Sequence, residues 1–188
     1  METIEDALQE AGLRPLGPCE RLSQRGPQLL HRCVLMEGFN AAEADILGEA
    51  MVRVRAEPGQ LLIREGDVGD WMLVLLGGTV DVTKRAVSDE VLSQVSGEAS
   101  RLSVLRIGAT FGEMSMLDGQ PRYASCTALE PVEAGVLSRR AIARLIREHP
   151  AVGAKLLLCL NQQLAQRLRN TSTQLIKALQ KAAAARPL

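Results

Sequence analysis

Glu113 and Arg122 lie nine residues apart in a short segment, residues 111–124, that reads FGEMSMLDGQPRYA. The guanidinium of an arginine presents a planar set of donors that matches two phosphate oxygens. An ionised glutamate offers only acceptors and therefore suits a sugar hydroxyl. The spacing of this pair predicts a compact ligand that carries both an anion and a hydroxyl.

This segment resembles the phosphate-binding cassette of cyclic-nucleotide-binding domains, the family that senses cAMP and cGMP. The resemblance implies that Arg122 faces the phosphate and Glu113 the ribose 2′-hydroxyl. It also implies that Gly112 and Ala124 give backbone contacts, and Met114 belongs to the same predicted set.

Turn motifs outside the cassette follow the order of the same family. Residues 56–70 resemble its first hairpins, with a Pro-Gly turn at 58–59 and a Glu-Gly-Asp turn at 65–67. The Gly-Gly pair at 77–78 lies within a segment that resembles its next strand pair. Altogether, roughly residues 38–175 follow the family order.

The position directly after the cassette arginine departs from the family, which usually has Ser, Thr or Ala there. Here it is Tyr123, whose ring either swings outward or occupies part of the pocket. In an extended segment, Ser125 would point to the same face two positions on. A Thr at this position tends to favour cGMP in the family, and Tyr123 has no hydroxyl at that reach. The resemblance therefore implies cAMP as the regulatory ligand, with cGMP as the other candidate.

Residues 165–172 resemble the corresponding helix of the bacterial cAMP-responsive transcription activators. In those proteins a Thr-Ser pair hydrogen-bonds the purine, and one hydroxyl comes from the second subunit. Thr171 and Ser172 match that pair, while the alternative is that both are ordinary polar residues on a helix surface. Residues 182–188 form only a tail, so we expect no winged helix-turn-helix and no attached output domain.

The pattern of apolar runs and turn residues divides the chain into three parts. Residues 1–37 predict a helical extension, and residues 38–181 a cyclic-nucleotide-binding-like domain. Within that domain, short strands over 51–138 alternate with Gly, Pro and Asp turns, which is typical of an antiparallel β-roll or jelly roll. Residues 139–181 predict C-terminal helices, and the polar stretch 85–103 predicts a long exposed loop. The expected fold class is mainly β with flanking α.

Helix 151–181 carries leucines at heptad spacing, among them Leu164, Leu168 and Leu175. A seam of this kind predicts a homodimer through the helix. The alternative is that the same face packs on the β-roll of its own subunit.

Composition excludes several classes of protein. The 188 residues contain 22 Lys and Arg against 22 Asp and Glu, so bulk charge gives no argument for nucleic-acid binding. The four cysteines are scattered without a metal-ligand spacing. We find no signal peptide, no membrane-length apolar run and no catalytic motif, and therefore expect a cytoplasmic protein that is not an enzyme and holds no metal.

Together these observations predict a stand-alone regulatory module that binds a cyclic nucleotide, in the first place cAMP, and relays its ligand state to an unidentified effector protein. Two alternatives stay open. The first is a degenerate domain of the same fold that acts as a protein-interaction module, with Glu113 and Arg122 kept as a salt bridge. The second is a sensor of a cyclic dinucleotide in a reshaped pocket.

Overall fold

The computed structural model of the chain describes residues 3–25, 29, 32–85 and 99–184, with backbone alone for residues 183 and 184. The described residues form nine strands, and every strand pair is antiparallel. The strands are β1 Arg14–Pro18, β2 Val52–Ala56, β3 Leu61–Ile63, β4 Trp71–Gly77, β5 Val80–Lys84, β6 Ser100–Leu105, β7 Thr110–Phe111, β8 Ser125–Ala128 and β9 Val132–Ser138.

The strands form two sheets, one with five strands in the order β1-β2-β9-β4-β7 and one with four in the order β3-β8-β5-β6. β4 is buried along almost its whole length, which explains why its sequence is a continuous apolar run rather than an alternating one. Its side chains alternate between two hydrophobic clusters. Trp71 and Leu73 pack with the interior of the roll, whereas Met72 and Val74 pack with the helices.

Five α-helices accompany the sheets in the described part of the chain. They are α1 Ile4–Glu10, α2 Ala41–Glu49, α3 Glu113–Asp118, α4 Arg139–Glu148 and α5 Pro150–Ala184. The side chain of Ser138 caps α4 by accepting a hydrogen bond from Ala141 N at 3.1 Å. This arrangement of antiparallel sheets, flanking helices and a long C-terminal helix confirms the predicted fold class.

The two halves of α5 have different environments. Val152, Leu156 and Leu160 are buried in the helix-side hydrophobic cluster. From Leu168 to Ala182 every side chain is exposed. The first half therefore anchors the helix on the roll, and the second half leaves a leucine-bearing face without a partner among the described residues.

The structure differs from the sequence prediction in two segments. The extension 1–37 is helical only in part, because Arg14–Pro18 forms β1 at the edge of the five-stranded sheet. The edge position tolerates the two prolines of this strand, since a proline lacks only one ladder donor there. The predicted loop 85–103 ends earlier, because β6 begins at Ser100 and pairs with β5. Residues 86–98 lie outside the described part of the chain.

Candidate functional site

The cassette begins at a backbone turn that requires glycine. Gly112 follows β7 with a φ of +79° and forms the N-terminal boundary of α3. A Cβ atom at this position would lie 2.8 Å from Nη1 of Arg122 and 2.8 Å from Cδ1 of Ile63. The absent side chain therefore makes room for the guanidinium of Arg122.

The backbone of Arg122 is fixed by the Glu-Gly-Asp turn at residues 65–67, which the sequence predicts. Gly66 N donates to Arg122 O at 2.9 Å, and Arg122 N donates to Asp67 O at 2.8 Å. Gly66 has a φ of +90°, which the turn needs and which glycine adopts at no steric cost. The turn motif thus positions the cassette arginine.

Arg122 as a whole is only 4% exposed, yet its guanidinium makes few polar contacts. Nη1 donates to Gly112 O at 2.7 Å, and the guanidinium carbon lies 4.3 Å from the centroid of the Trp71 ring. Nη2 is buried and has no hydrogen-bond partner among the described residues. Burial lowers the pKa of Arg122 from its ordinary value, while the negative charges of Asp70, Glu113 and Asp67 act in the opposite direction. An arginine so placed keeps its charge, and its Nη2 remains a donor without an acceptor in the described structure.

Glu113 is 1% exposed and is paired with α5 rather than with Arg122. Its Oε1 accepts a hydrogen bond from Nη1 of Arg167, and Nη2 of Arg167 donates to Thr110 O at 2.6 Å. The other carboxylate oxygen, Oε2, is buried without a partner among the described residues. The salt bridge between Glu113 and Arg122 that the interaction-module alternative assumed is therefore absent from this part of the structure.

A second side chain of α5 reaches the same place. Gln163 lies one helical turn before Arg167, and its Nε2 donates to Oγ1 of the buried Thr110. Its Oε1 is a third buried polar atom that lacks a partner among the described residues. Gln163, Arg167 and Thr110 form part of the lining of a cleft of about 360 Å³. Arg122 lines a different and larger cleft of about 1280 Å³ beside α1 and α4.

Tyr123 points away from the cassette, with 56% of its surface exposed. Its ring stacks over Nζ of Lys84 at 4.3 Å, and its carbonyl oxygen accepts from the same Nζ at 2.8 Å. Ser125 is occupied elsewhere, since its hydroxyl accepts from Glu65 N at 3.0 Å. Of the two orientations that the sequence left open for Tyr123, the structure has the outward one.

The remaining predicted residues are spread more widely. Met114 is exposed on α3, and Ala124 is half-buried beside the cassette arginine. Thr171 and Ser172 are exposed on the second half of α5, one turn beyond Arg167. Neither hydroxyl makes a hydrogen bond to the roll within the described ranges. The structure thus brings together Gly112, Glu113 and Arg122 but does not add the Thr-Ser pair to them, and its role in base recognition stays a prediction.

Sequence reasoning missed four residues of this site, namely Thr110, Gln163, Arg167 and Trp71. Gln163 and Arg167 are four residues apart and therefore share one helix face, but this spacing does not indicate that the face packs against the cassette. Trp71 carried no local signal beyond being the one tryptophan of the chain.

The described residues contain no group of three or more His, Cys, Asp or Glu side chains that could hold a metal ion. The four cysteine thiols are buried and unpaired. No helix in the described ranges is both long and apolar enough to cross a membrane.

Comparisons with known proteins agree with this fold. Residues 53–149 match the family model of the cyclic nucleotide-binding domain. The solved structure of a cyclic nucleotide-binding domain from Methylobacillus flagellatus is 31% identical, with a TM-score of 0.74, and the similarity covers 88% of this chain and 89% of that one.

Two regulators of different kinds are similar to the chain. The CRP-like cAMP-activated global transcriptional regulator of Mycobacterium tuberculosis is 27% identical over 148 residues, which cover 79% of this chain and 61% of the relative. The cAMP-dependent protein kinase regulatory subunit of Mucor circinelloides is 27% identical over 117 residues, which cover 62% of this chain and 25% of the relative. The chain thus matches less than two thirds of either relative's length.

The fold, the cassette and the family match lead to one conclusion. The chain belongs to the cyclic nucleotide-binding domain family, as the sequence predicted, and contains a regulatory domain of that family related to both kinds of regulator.

Proposed function

We propose that this protein is a cAMP-responsive regulatory module that passes its ligand state to a partner protein. The observation that carries the proposal is a pair of unsatisfied atoms in one cassette. Within the described part of the chain, Nη2 of Arg122 is a buried donor without an acceptor, and Oε2 of Glu113 is a buried acceptor without a donor. Unsatisfied buried polar groups are rare in native proteins and call for an explanation.

A cyclic nucleotide supplies the missing partner of each atom. A phosphate oxygen accepts from the guanidinium of Arg122, and a ribose hydroxyl donates to Glu113, with bonds strengthened by the charge on the protein group. The backbone at Gly112 and Ala124 and the side chain of Met114 lie next to these two groups in the chain. The outward orientation of Tyr123 supports the proposal, because its exposed ring lies against Lys84 instead.

Base recognition is the finer part of the proposal. Thr171 and Ser172 are assigned to the purine of cAMP, and their exposure on α5 suits residues that act together with a second subunit. Gln163 adds a buried carbonyl oxygen, Oε1, that needs a donor such as the exocyclic amine of adenine. The preference for cAMP over cGMP rests on these groups and on the absence of a small hydroxyl residue at position 123.

Titration calorimetry with cAMP, cGMP and cyclic di-GMP tests the ligand. We expect cAMP to bind most tightly and Glu113→Gln to weaken it, since the amide replaces an ionised acceptor. Thr171→Val combined with Ser172→Ala should lower the affinity for cAMP relative to cGMP. Tighter binding of cGMP or cyclic di-GMP would reject cAMP as the ligand, and no binding of any of the three would reject the proposal.

The relay is proposed to run through α5 and a homodimer. Leu168 is 69% exposed, and Leu175, Ile176 and Leu179 are also exposed on this half of the helix. Burying such a stripe against a second copy would remove apolar surface from water. A ligand can shift α5 only by its differential affinity for two helix positions, and the contact of Arg167 with Glu113 provides the difference.

Two measurements test the relay. Leu168→Asp should weaken self-association in sedimentation velocity, whereas Gln174→Asp introduces the same charge off the leucine stripe and should not. cAMP should protect residues 111–125 and 155–175 from amide exchange. Equal association of both variants would exclude the stripe as the dimer contact, and protection confined to the cassette would exclude α5 as the relay.

A further inference from the structure

Trp71 forms the surface on which the cassette arginine lies. It is the first residue of β4, is 5% exposed and belongs to the hydrophobic cluster inside the roll. The guanidinium carbon of Arg122 is 4.3 Å from its ring centroid. Trp71 is also the one tryptophan in the chain, so its fluorescence reports on this place alone.

Two glycines, Gly69 and Gly112, lie against the guanidinium on two further sides. A Cβ atom at Gly69 would lie 2.6 Å from Nη2, and one at Gly112 would lie 2.8 Å from Nη1. Both distances are shorter than real Cβ contacts allow, so these two positions fit around Arg122 as glycine. The guanidinium thus occupies a cradle made by one ring and two glycines.

No carboxylate pairs with Arg122 among the described residues, although three acidic residues lie close enough to act on its pKa. A buried cation without a partner is unfavourable. An aromatic face attracts a guanidinium through its quadrupole, and more strongly when water is excluded. Unlike a carboxylate, the ring takes up none of the in-plane N–H donors, so they stay available to an anion.

We propose that Trp71 is a positioning residue, which holds the guanidinium of Arg122 by stacking and leaves Nη2 free to bind an anion. The stack itself is independent of the proposed function. The identity of the anion as the phosphate of a cyclic nucleotide rests on that function.

A spectroscopic experiment tests the stack without any ligand. The Nε–Hε resonance of Arg122, assigned by its loss in Arg122→Ala, should show a ring-current displacement. Trp71→Leu should abolish this displacement and Trp71→Phe should restore much of it. Met72→Leu, on the opposite face of β4, serves as a control and should leave it in place. An unchanged resonance in Trp71→Leu would overturn the proposal.

A second measurement guards against misfolding of the leucine variant. Trp71 emission should differ between the wild type and Arg122→Ala, because the cation leaves the ring face. If Trp71→Leu does not fold, identical emission spectra of those two proteins would overturn the stack.

Titration with cAMP tests what the stack does for binding. Trp71→Leu should weaken binding about tenfold, in line with the strength of a desolvated cation–π contact, whereas Trp71→Phe should lose much less and Met72→Leu nearly nothing. Equal affinity of wild type and Trp71→Leu would overturn the positioning role. If cAMP, cGMP and cyclic di-GMP all fail to bind the wild type, the proposed function fails, and the resonance of Arg122 still decides whether Trp71 holds it.

Discussion

The two charged ends of the cassette are buried almost equally but are held by different parts of the molecule. Arg122 is held by the roll itself, through the 65–67 turn, the Trp71 ring and Gly112 O. Glu113 is held by a side chain of α5, because Arg167 reaches over to its carboxylate. We call Arg122 the anion end of the cassette and Glu113 its hydroxyl end, after their proposed ligands. The contacts that hold the anion end come from the roll alone, whereas those that hold the hydroxyl end include α5.

In the proposed function, this difference separates binding from signalling. A phosphate would use Arg122 without any change in α5. A hydroxyl that approaches Glu113 meets Arg167 at the same carboxylate, so occupancy of that end and the position of α5 depend on each other. Coupling of this kind requires a ligand to interact differently with two helix positions, and the Glu113–Arg167 contact is where such a difference can arise.

The largest expected effect is at the anion end. Arg122→Ala should weaken cAMP binding by at least about 30-fold, since truncating one partner of a buried charged contact costs about 2–5 kcal/mol. Arg122→Lys should recover only part of this loss, because an ammonium lacks the planar fork. Calorimetry or equilibrium dialysis measures both variants.

The control for this prediction is Arg14→Ala, an exposed arginine at the start of β1 that lies outside the cassette and lines neither of the two clefts described above. Its affinity for cAMP should match that of the wild type. If Arg122→Ala binds cAMP as tightly as this control, Arg122 does not bind the anion, and the proposed difference between Arg122 and Glu113 is wrong.

A smaller effect is expected at the hydroxyl end, and it should appear in stability. Arg167→Ala leaves Glu113 buried without its partner and should lower the free energy of unfolding by about 1–3 kcal/mol. Glu113→Gln in the same chain should recover part of this loss, because the neutral amide does not need the cation. A double-mutant cycle in urea measures the coupling.

Arg169→Ala is the matched control, since Arg169 is exposed and its guanidinium hydrogen-bonds only to Gln166, on its own helix, in the described structure. The Nε–Hε resonance of Arg122 should be unchanged in Arg167→Ala, because the roll holds that end alone. A displaced Arg122 resonance in Arg167→Ala would show that α5 also holds Arg122. Additive effects of Arg167→Ala and Glu113→Gln on the free energy of unfolding would show that Arg167 does not hold Glu113. Either result would contradict the difference between the two ends.

Local chemistry explains which parts of the site could be predicted. The left-handed turns at Gly66 and Gly112 depend on neighbouring residues, so the sequence could indicate these turns, whereas the binding roles of Glu113 and Arg122 stay a prediction. The partner of Glu113 lies 54 residues away on another element. No local pattern states which helix residue will pack against a given turn, and Arg167 was therefore missed.

The same argument applies to β1 and to Trp71. Two prolines and a glycine in residues 14–18 read as interruptions, and only the edge position beside β2 makes them compatible with a strand. Trp71 in an apolar run reads as a core residue, which it is. Its contact with Arg122 depends on Gly69 and Gly112, which let the backbone approach the guanidinium closely. This close approach is a property of the tertiary structure.

The smallest expected effect concerns Cys126, which lies in β8 close to the anion end. Burial raises the pKa of the Cys126 thiol to about 12, and the positive charge of Arg122 opposes this rise. The folded protein therefore holds the thiol proton more firmly than the unfolded chain, whose thiol has a pKa near 9.0. This contribution to stability is complete below about pH 9 and is lost as the pH rises towards 12.

Urea unfolding between pH 8 and pH 10.5 should thus show a shallower loss of stability in Cys126→Ala than in the wild type, by up to about 1.4 kcal/mol per pH unit. The comparison uses slopes, because the alanine also leaves a small cavity that lowers stability at every pH. Arg122→Ala should instead remove the opposing charge and raise the Cys126 pKa further, which would slow the reaction of that thiol with Ellman's reagent. Equal slopes in wild type and Cys126→Ala would mean that burial does not raise the pKa of the Cys126 thiol, and faster modification in Arg122→Ala would mean that the guanidinium does not lower that pKa from the cradle of Trp71, Gly69 and Gly112.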